Sequence, residues 1–139
     1  QVSQVIISNA QMLALRATAV QLVPAPGVGY QVLMESLVLE FDYGGTAYTI
    51  TNAGDDLRVK YTNGTGVVVS DNIDSAGFLD QIVDFVTNGR PSADLKAAAS
   101  ACVNKSLVLH NVGSAEFTGG NAANVVRATC YYIKQKVGF

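Results

Sequence analysis

Residues 22–48 read LVPAPGVGYQVLMESLVLEFDYGGTAY, a rigid corner, a long apolar run and a glycine turn in that order, and this order decides the fold. Pro24 and Pro26 hold φ near about −65° and offer no N–H, while Gly27 and Gly29 accept positive φ, so the chain reverses sharply and stiffly there. From Tyr30 to Tyr43 the run is strand-like. Leu37, Leu39, Phe41 and Tyr43 share one face, opposite Val38, Glu40 and Asp42. Upstream, Val32 and Met34 occupy even positions, so the apolar register slips, and the spacing predicts a β-bulge near Glu35 or Ser36. Gly44-Gly45 permits the primed turn of a hairpin, with Tyr48 opening the return strand.

Moving outward, DDLRVKY at 55–61 alternates cleanly, with Leu57, Val59 and Tyr61 on one face and Arg58 and Lys60 on the other. Asn63-Gly64 marks the next turn, before a short return strand at 67–69. On the N-terminal side, residues 1–7 alternate weakly, as an edge strand or as an arm that only a partner or a sheet orders. Ser8 or Asn9 caps a helical turn that carries Met12, Leu13 and Leu15 inward, and a strand at 18–23 leads into the corner.

After residue 70 the apolar period lengthens from two to about 3.6. In 74–88, Phe78, Leu79, Ile82, Val83 and Val86 form one stripe behind an Asp74 or Ser75 cap, with Asn88-Gly89 as the stop. This pattern predicts an inserted amphipathic helix over about 74–88. A short second helix is expected over about 93–101 behind Ser92, presenting Leu95, Ala98 and Cys102. Strands at 105–112 and 124–137, joined by the loop GSAEFTGGNAAN, close the chain. In the last strand Val126, Ala128, Cys130 and Tyr132 oppose Arg127, Thr129, Tyr131 and Ile133, so both of its faces are expected to be contacted. With no repeat and no linker, residues 1–139 are expected to form one mostly-β domain, a jelly-roll-like antiparallel β-sandwich with the helix inserted late.

Composition narrows the function classes. Charged residues make up 14% of the 139, against about 25% in ordinary soluble domains. Interface cores are depleted in Lys, Glu and Asp, so the chain reads as a subunit whose surface is partly covered, or else as a compact monomer with a Ser/Thr/Asn/Gln surface. A formal charge of −2 with scattered Lys and Arg argues against nucleic acid. No apolar run reaches the roughly 18 residues of a membrane span, and Val2–Ile7 follows no basic leader, so no membrane partner is expected. Cys102 and Cys130 are too few and too far apart for a disulfide framework or a zinc site, and read as small buried hydrophobes. Synthesis in the cytoplasm is the corresponding expectation.

Chemistry-bearing residues are sparse. His110 is the one histidine, and in SLVLHNV it reads as a hydrogen-bonded sheet residue rather than a general base, with no nucleophile or orienting carboxylate beside it in sequence. Asp55-Asp56 reads as a turn cap, against an acid/base pair or half a calcium site. The glycines of GVGY and YGGTAY lack phosphate-loop spacing. Asn63-Gly64-Thr65 and Asn104-Lys105-Ser106 match the glycosylation acceptor pattern as chance occurrences. The expectation is therefore no enzyme, no cofactor and no metal. Tyr30, Tyr43, Tyr48 and Tyr61 stand as interface anchors or as half-exposed cross-strand partners.

LVPAPGVGY at 22–30, DYGGTAY at 42–48 and GDDLRVKY at 54–61 together resemble the head cement (decoration) proteins of tailed bacteriophages, over residues 22–61 and in overall length. The resemblance implies a jelly-roll-like virion subunit on the outside of an icosahedral capsid, made in the bacterial host cytoplasm. Such a subunit pairs with itself, as a homodimer or in higher contacts on the capsid, clamps neighbouring major capsid proteins, and has no catalytic residues to carry over. The contacts are expected from arms at 1–7 and 134–139 and from the corner, with Val2, Val5, Ile6, Ile7, Pro24, Pro26, Tyr30, Tyr43, Tyr48, Val137 and Phe139 as candidate interface residues. A carbohydrate- or ligand-binding β-sandwich module is the alternative, and the absence of Trp counts against its aromatic patch. A small hydrolase is a third, which requires Asp or Ser around His110.

Overall fold

The structure, a computed structural model, describes residues 1–138 and is built from antiparallel strands. The strands are β1 (Val2–Ser8), β2 (Val20–Val23), β3 (Tyr30–Asp42), β4 (Tyr48–Thr49), β5 (Leu57–Tyr61), β6 (Phe85–Gly89), β7 (Leu107–Asn111), β8 (Thr118–Gly119) and β9 (Val125–Lys136), with one short helix α1 (Asn9–Leu13). A four-stranded sheet runs β1-β9-β3-β6 and a three-stranded sheet runs β2-β7-β5; β4 and β8 form a small pair. The two larger sheets enclose the core and make the expected antiparallel sandwich.

The long strand β3 behaves as its pattern predicts. Its pairing with β9 shifts between Met34 and Ser36, so Val32 and Met34 before the bulge and Leu37, Leu39 and Phe41 after it all point into the core. At the corner, Gly27 and Gly29 take φ of 101° and 80°. The Tyr61 hydroxyl, from the facing sheet, donates to the Val32 carbonyl at 2.6 Å, which satisfies a buried phenol and pins the two layers together. Helix α1 starts with a capping box: Gln11 N–H donates to Ser8 Oγ at 3.3 Å and Ser8 N–H to Gln11 Oε1 at 2.9 Å, sinking Met12 and Leu15 into the core. Cys102 and Cys130 are free and buried, and burial pushes the Cys130 thiol up to about 11.

Several expectations are corrected. Residues 74–88 form no helix. One turn closes on the Ser75 carbonyl, Gly77 takes φ of 79°, and Phe85–Gly89 becomes β6 against Phe41–Leu37 of β3. Only Phe78 and Leu79 of the apolar stripe are buried. The edge of β3 needs a partner for its backbone groups, and the β-branched Val86 and Thr87 suit a strand. Gly89 suits it too, because a Cβ there meets Ile73 Cδ1 at 2.7 Å.

The expected helix at 93–101 shrinks to one 3₁₀ turn at Ala99–Ala101 with no buried residue. Alanine propensity alone does not hold a short helix that has no apolar face to pack. YGGTAY is not a hairpin, since β4 pairs with β8 rather than returning along β3. Gly44 instead lies against the Ala123 backbone, where a Cβ would come within 2.5 Å, and donates its N–H to Asn124 Oδ1 at 2.7 Å.

The proposed arms are strands. Val2–Ser8 pairs with Tyr131–Val125 throughout, and Lys134–Lys136 pairs with Val32–Tyr30. Of the two readings for residues 1–7, edge strand holds. Val137 N–H is tied to the Gly29 carbonyl at 2.8 Å, and Phe139 lies outside the described residues.

Candidate interaction surface

Strand pairing decides which side chains leave the core together. In the register of the four-stranded sheet, Val2 stands opposite Tyr131, Ile6 opposite Arg127, Leu33 opposite Ile133, Val38 opposite Thr129 and Glu40 opposite Val86. These residues alternate with the buried ones, so they share the face turned away from the core. Ile6 is 63% exposed, Val2 58%, Val86 56% and Ile133 47%. Single exposed apolar residues are ordinary, but a sheet face that gathers several of them marks an interaction surface. Beside β6, Ile82 and Val83 are exposed as well.

The face has free borders and an acidic end. Among the described residues β1 pairs only with β9, and β6 only with β3, so each presents one unpaired backbone edge. Near β6, Glu40, Asp42 and Asp84 gather with one cation, Arg127, around a shallow cleft of about 360 Å³. Arg127 Nη2 pairs with Asp42 Oδ2 at 3.0 Å, and Asp84 Oδ1 accepts the Tyr43 N–H at 2.9 Å. Lys134 and Lys136, at the other end of β9, alternate with Ile133 and lie on the opposite side of the sheet, with the Lys134 ammonium 4.5 Å from the centre of the Tyr30 ring.

Among the expected interface residues, Val2 and Ile6 are exposed on this face, whereas Ile7 is fully buried and Val5 packs against the core from the other side. The alternation of a strand sends them to opposite faces. Pro24 is exposed and Pro26 half-buried in the corner loop, away from the apolar face. Tyr30 is half-buried. Tyr43 packs edge-on to Phe41 with ring centres 6.3 Å apart, and Tyr48 is buried in the core. Burial pushes the Tyr48 phenol up to about 12. Val137 is half-buried beside the corner, and Phe139 is outside the described residues.

Residues 82–86 and the pair Tyr131 and Ile133 were not among those expected. The pairing of β9 with β1 and β3 puts Tyr131 and Ile133 outward, a placement already suggested by their opposition to Cys130 and Tyr132. No comparable signal exists for Ile82, Val83 and Val86, whose spacing points to the helix that the structure does not form.

The titratable residues take supporting roles. Asp55 is fully buried, and its carboxylate accepts from Asn52 N and Nδ2 at 2.8 and 3.1 Å and from the N–H groups of Ser114 and Ala115 at 2.8 and 3.1 Å. Burial pushes this carboxyl up, yet the converging donors outweigh it and hold it below the usual carboxylate range. The expected turn cap is therefore present and also ties down a distant loop. Asp56 accepts from Asn72 Nδ2 at 2.8 Å and Ser75 N–H at 3.0 Å.

His110 Nε2 stands 2.9 Å from the Arg16 carbonyl, which only accepts, so this nitrogen carries the proton. Both oxygens of the nearby Glu116 carboxylate receive the N–H groups of Arg16 and Ala17, at 2.8 and 2.7 Å. This arrangement fastens the α1–β2 connector to the sheet below it. Among the described residues, no group of three or more His, Cys, Asp or Glu is placed to hold a metal ion, and no helix is long and apolar enough to cross a membrane.

No family model, curated protein or solved structure matches this chain.

Proposed function

We propose that this chain is a structural subunit, a cement protein that binds the outside of an icosahedral phage capsid and ties neighbouring major capsid proteins together. The observation that carries the proposal is the four-stranded sheet's outward apolar face, bounded by two free strand edges. At strand spacings of about 4.8 Å and about 3.3 Å per residue, that face covers about 600 Å². Each partner in a standard protein–protein interface buries about 800 Å². An added strand along β1 or β6 supplies backbone hydrogen bonds without any active site. A shell offers many equivalent sites, so a modest affinity at each contact is enough once two are bridged.

Pairing of the chain with itself belongs to the same proposal. A two-fold interface brings the same patch of both copies together, so the outward face with Val2, Ile6, Tyr131 and Ile133 is the surface offered for this pairing. The location follows as the virion exterior after synthesis in the host cytoplasm. Mixing the purified chain with undecorated heads tests the proposal through cosedimentation and the thermal stability of the shell. Saturable binding with a raised shell melting temperature is expected; binding to glycans with none to heads would replace this reading with a carbohydrate-binding one.

A further inference from the structure

The chain holds two Asn-Gly pairs, Asn63-Gly64 and Asn88-Gly89, and the fold treats them differently. Asn63-Gly64 lies in the turn after β5, closed by Gly66 N–H on the Asn63 carbonyl at 3.0 Å. The Asn63 side-chain oxygen Oδ1 accepts two hydrogen bonds from Thr65, from its N–H at 2.9 Å and from its hydroxyl at 2.8 Å. Asn63 is exposed to solvent. Gly64 is required by the fold, because a Cβ there would meet His110 Nε2 at 2.5 Å. The residue following Asn63 therefore has no side chain to shield its backbone nitrogen.

We infer that Asn63 is a self-modifying site, converted in the folded protein to aspartate and isoaspartate by attack of the Gly64 backbone nitrogen on its side-chain amide. A solvent base takes the Gly64 N–H proton, and the nitrogen forms a bond to Asn63 Cγ while the carbonyl electron pair moves onto Oδ1. Collapse of this intermediate breaks the bond from Cγ to the amide nitrogen, which leaves as ammonia after taking a proton from water. Water then adds to either carbonyl of the five-membered imide and opens it. One water enters, one ammonia leaves, and nothing is oxidised or reduced.

Oδ1 is the atom that becomes negative in the intermediate, and it is already the acceptor of both Thr65 donors. Donors placed where charge develops lower a barrier without reorganisation, and the Thr65 bonds fix the Asn63 side chain within the same turn as the Gly64 nitrogen. Asn88-Gly89 is held differently. It lies in β6 opposite Val38 and Leu37, and Gly89 is packed against Ile73 and Leu37, so the backbone is not free to fold back on the side chain.

The product adds a carboxylate in a cleft of about 530 Å³ that also includes Arg16 and His110. It also lies near Lys60, whose Nζ donates to the Gly64 carbonyl at 2.6 Å. The modification thus makes a neutral turn acidic next to three nitrogen-bearing side chains.

Native and urea-unfolded samples of the full chain, held at mildly alkaline pH and digested for peptide mass mapping, test the inference. In the native sample Asn63 is expected to convert about ten-fold or more faster than Asn88, and in urea the two rates should agree within about three-fold. Thr65→Val, which removes one donor to Oδ1, should slow native conversion at position 63 by about three- to ten-fold and leave the urea rate unchanged. Native conversion at Asn88 as fast as at Asn63 would overturn the inference. So would a rate ratio that persists in urea, because the turn would then have no part in it.

Discussion

The carboxylate of Asp55 receives the backbone N–H of Ser114 at 2.8 Å across 59 residues of chain, joining the loop before β5 to the loop after β7. Gly113 makes the approach possible, since a side chain there would strike the Asp55 carboxylate and Cα. The β5–β7 pairing between these loops, from Leu57↔Asn111 to Tyr61↔Leu107, is thereby closed at one end by a buried ionic hydrogen-bond cluster.

Replacing that carboxylate should be costly. Asp55→Asn turns one acceptor oxygen into a donor that faces donors, and it should lower unfolding stability by about 2–4 kcal/mol. Urea denaturation measures this directly. The Asp55 carboxyl is held below its unfolded value of 3.8, so its stabilisation is present above that value and lost as pH falls through the folded one. The acid limb of the stability profile should therefore be shallower in Asp55→Asn. An unchanged limb would remove Asp55 from the account of acid unfolding.

His110 predicts a second pH dependence, in a higher window. Burial lowers its pKa below the ordinary 6.5; the Arg16 carbonyl and Glu116 oppose this, while Lys60 and Arg16 add to it. The folded state thus favours the neutral ring, and the stability it contributes is complete above pH 6.5 and declines as pH falls toward the folded pKa. Melting temperatures of the parent between pH 7.5 and 5 should fall, with a smaller decline in His110→Gln. Parallel curves for the two proteins would contradict the placement of this ring.

Two glycines separate backbone constraint from composition. A Cβ on Gly66 would run into the Tyr61 carbonyl, whereas around Gly54 there is open space. Gly66→Ala should cost about 2–4 kcal/mol, and Gly54→Ala should stay within about 0.5 kcal/mol of the parent. Both are read by urea denaturation, and equal effects would show that the turn after β5 relaxes freely.

The outward sheet face is tested by charge. Ile6→Asp and Val86→Asp place carboxylates on positions 63% and 56% exposed, so each should change stability by no more than about 0.5–1 kcal/mol. On heads, both are expected to abolish saturable decoration, and Val28→Asp, on the 88% exposed corner loop, to retain it. Normal decoration by the first two variants would move the contact to another surface.

Local pattern was enough to read much of this sandwich. The register slip at Met34 and Ser36, the alternation through Leu57, Val59 and Tyr61, and the Ser8 cap all rest on neighbours within a few residues, so sequence spacing reports them. The run at 78–86 was misread as a helix for the same reason. Its apolar positions satisfy a helical stripe, but the aromatic and β-branched Phe85, Val86 and Thr87 suit a strand, and the unpaired edge of β3, far away in sequence, decided between them.

The amino-acid sequence by itself determined a mostly-β chain with a buried alternating core, a glycine-proline corner and a low density of charge. The tertiary structure alone decided that Phe85–Gly89 pairs with Leu37–Phe41, that residues 1–7 join β9, and that Ile6, Tyr131, Ile133 and Val86 emerge on one face. Strand pairing joins residues up to about 130 positions apart. Its free energy comes from backbone groups common to every residue, so which edge meets which becomes visible only when the whole sheet is assembled.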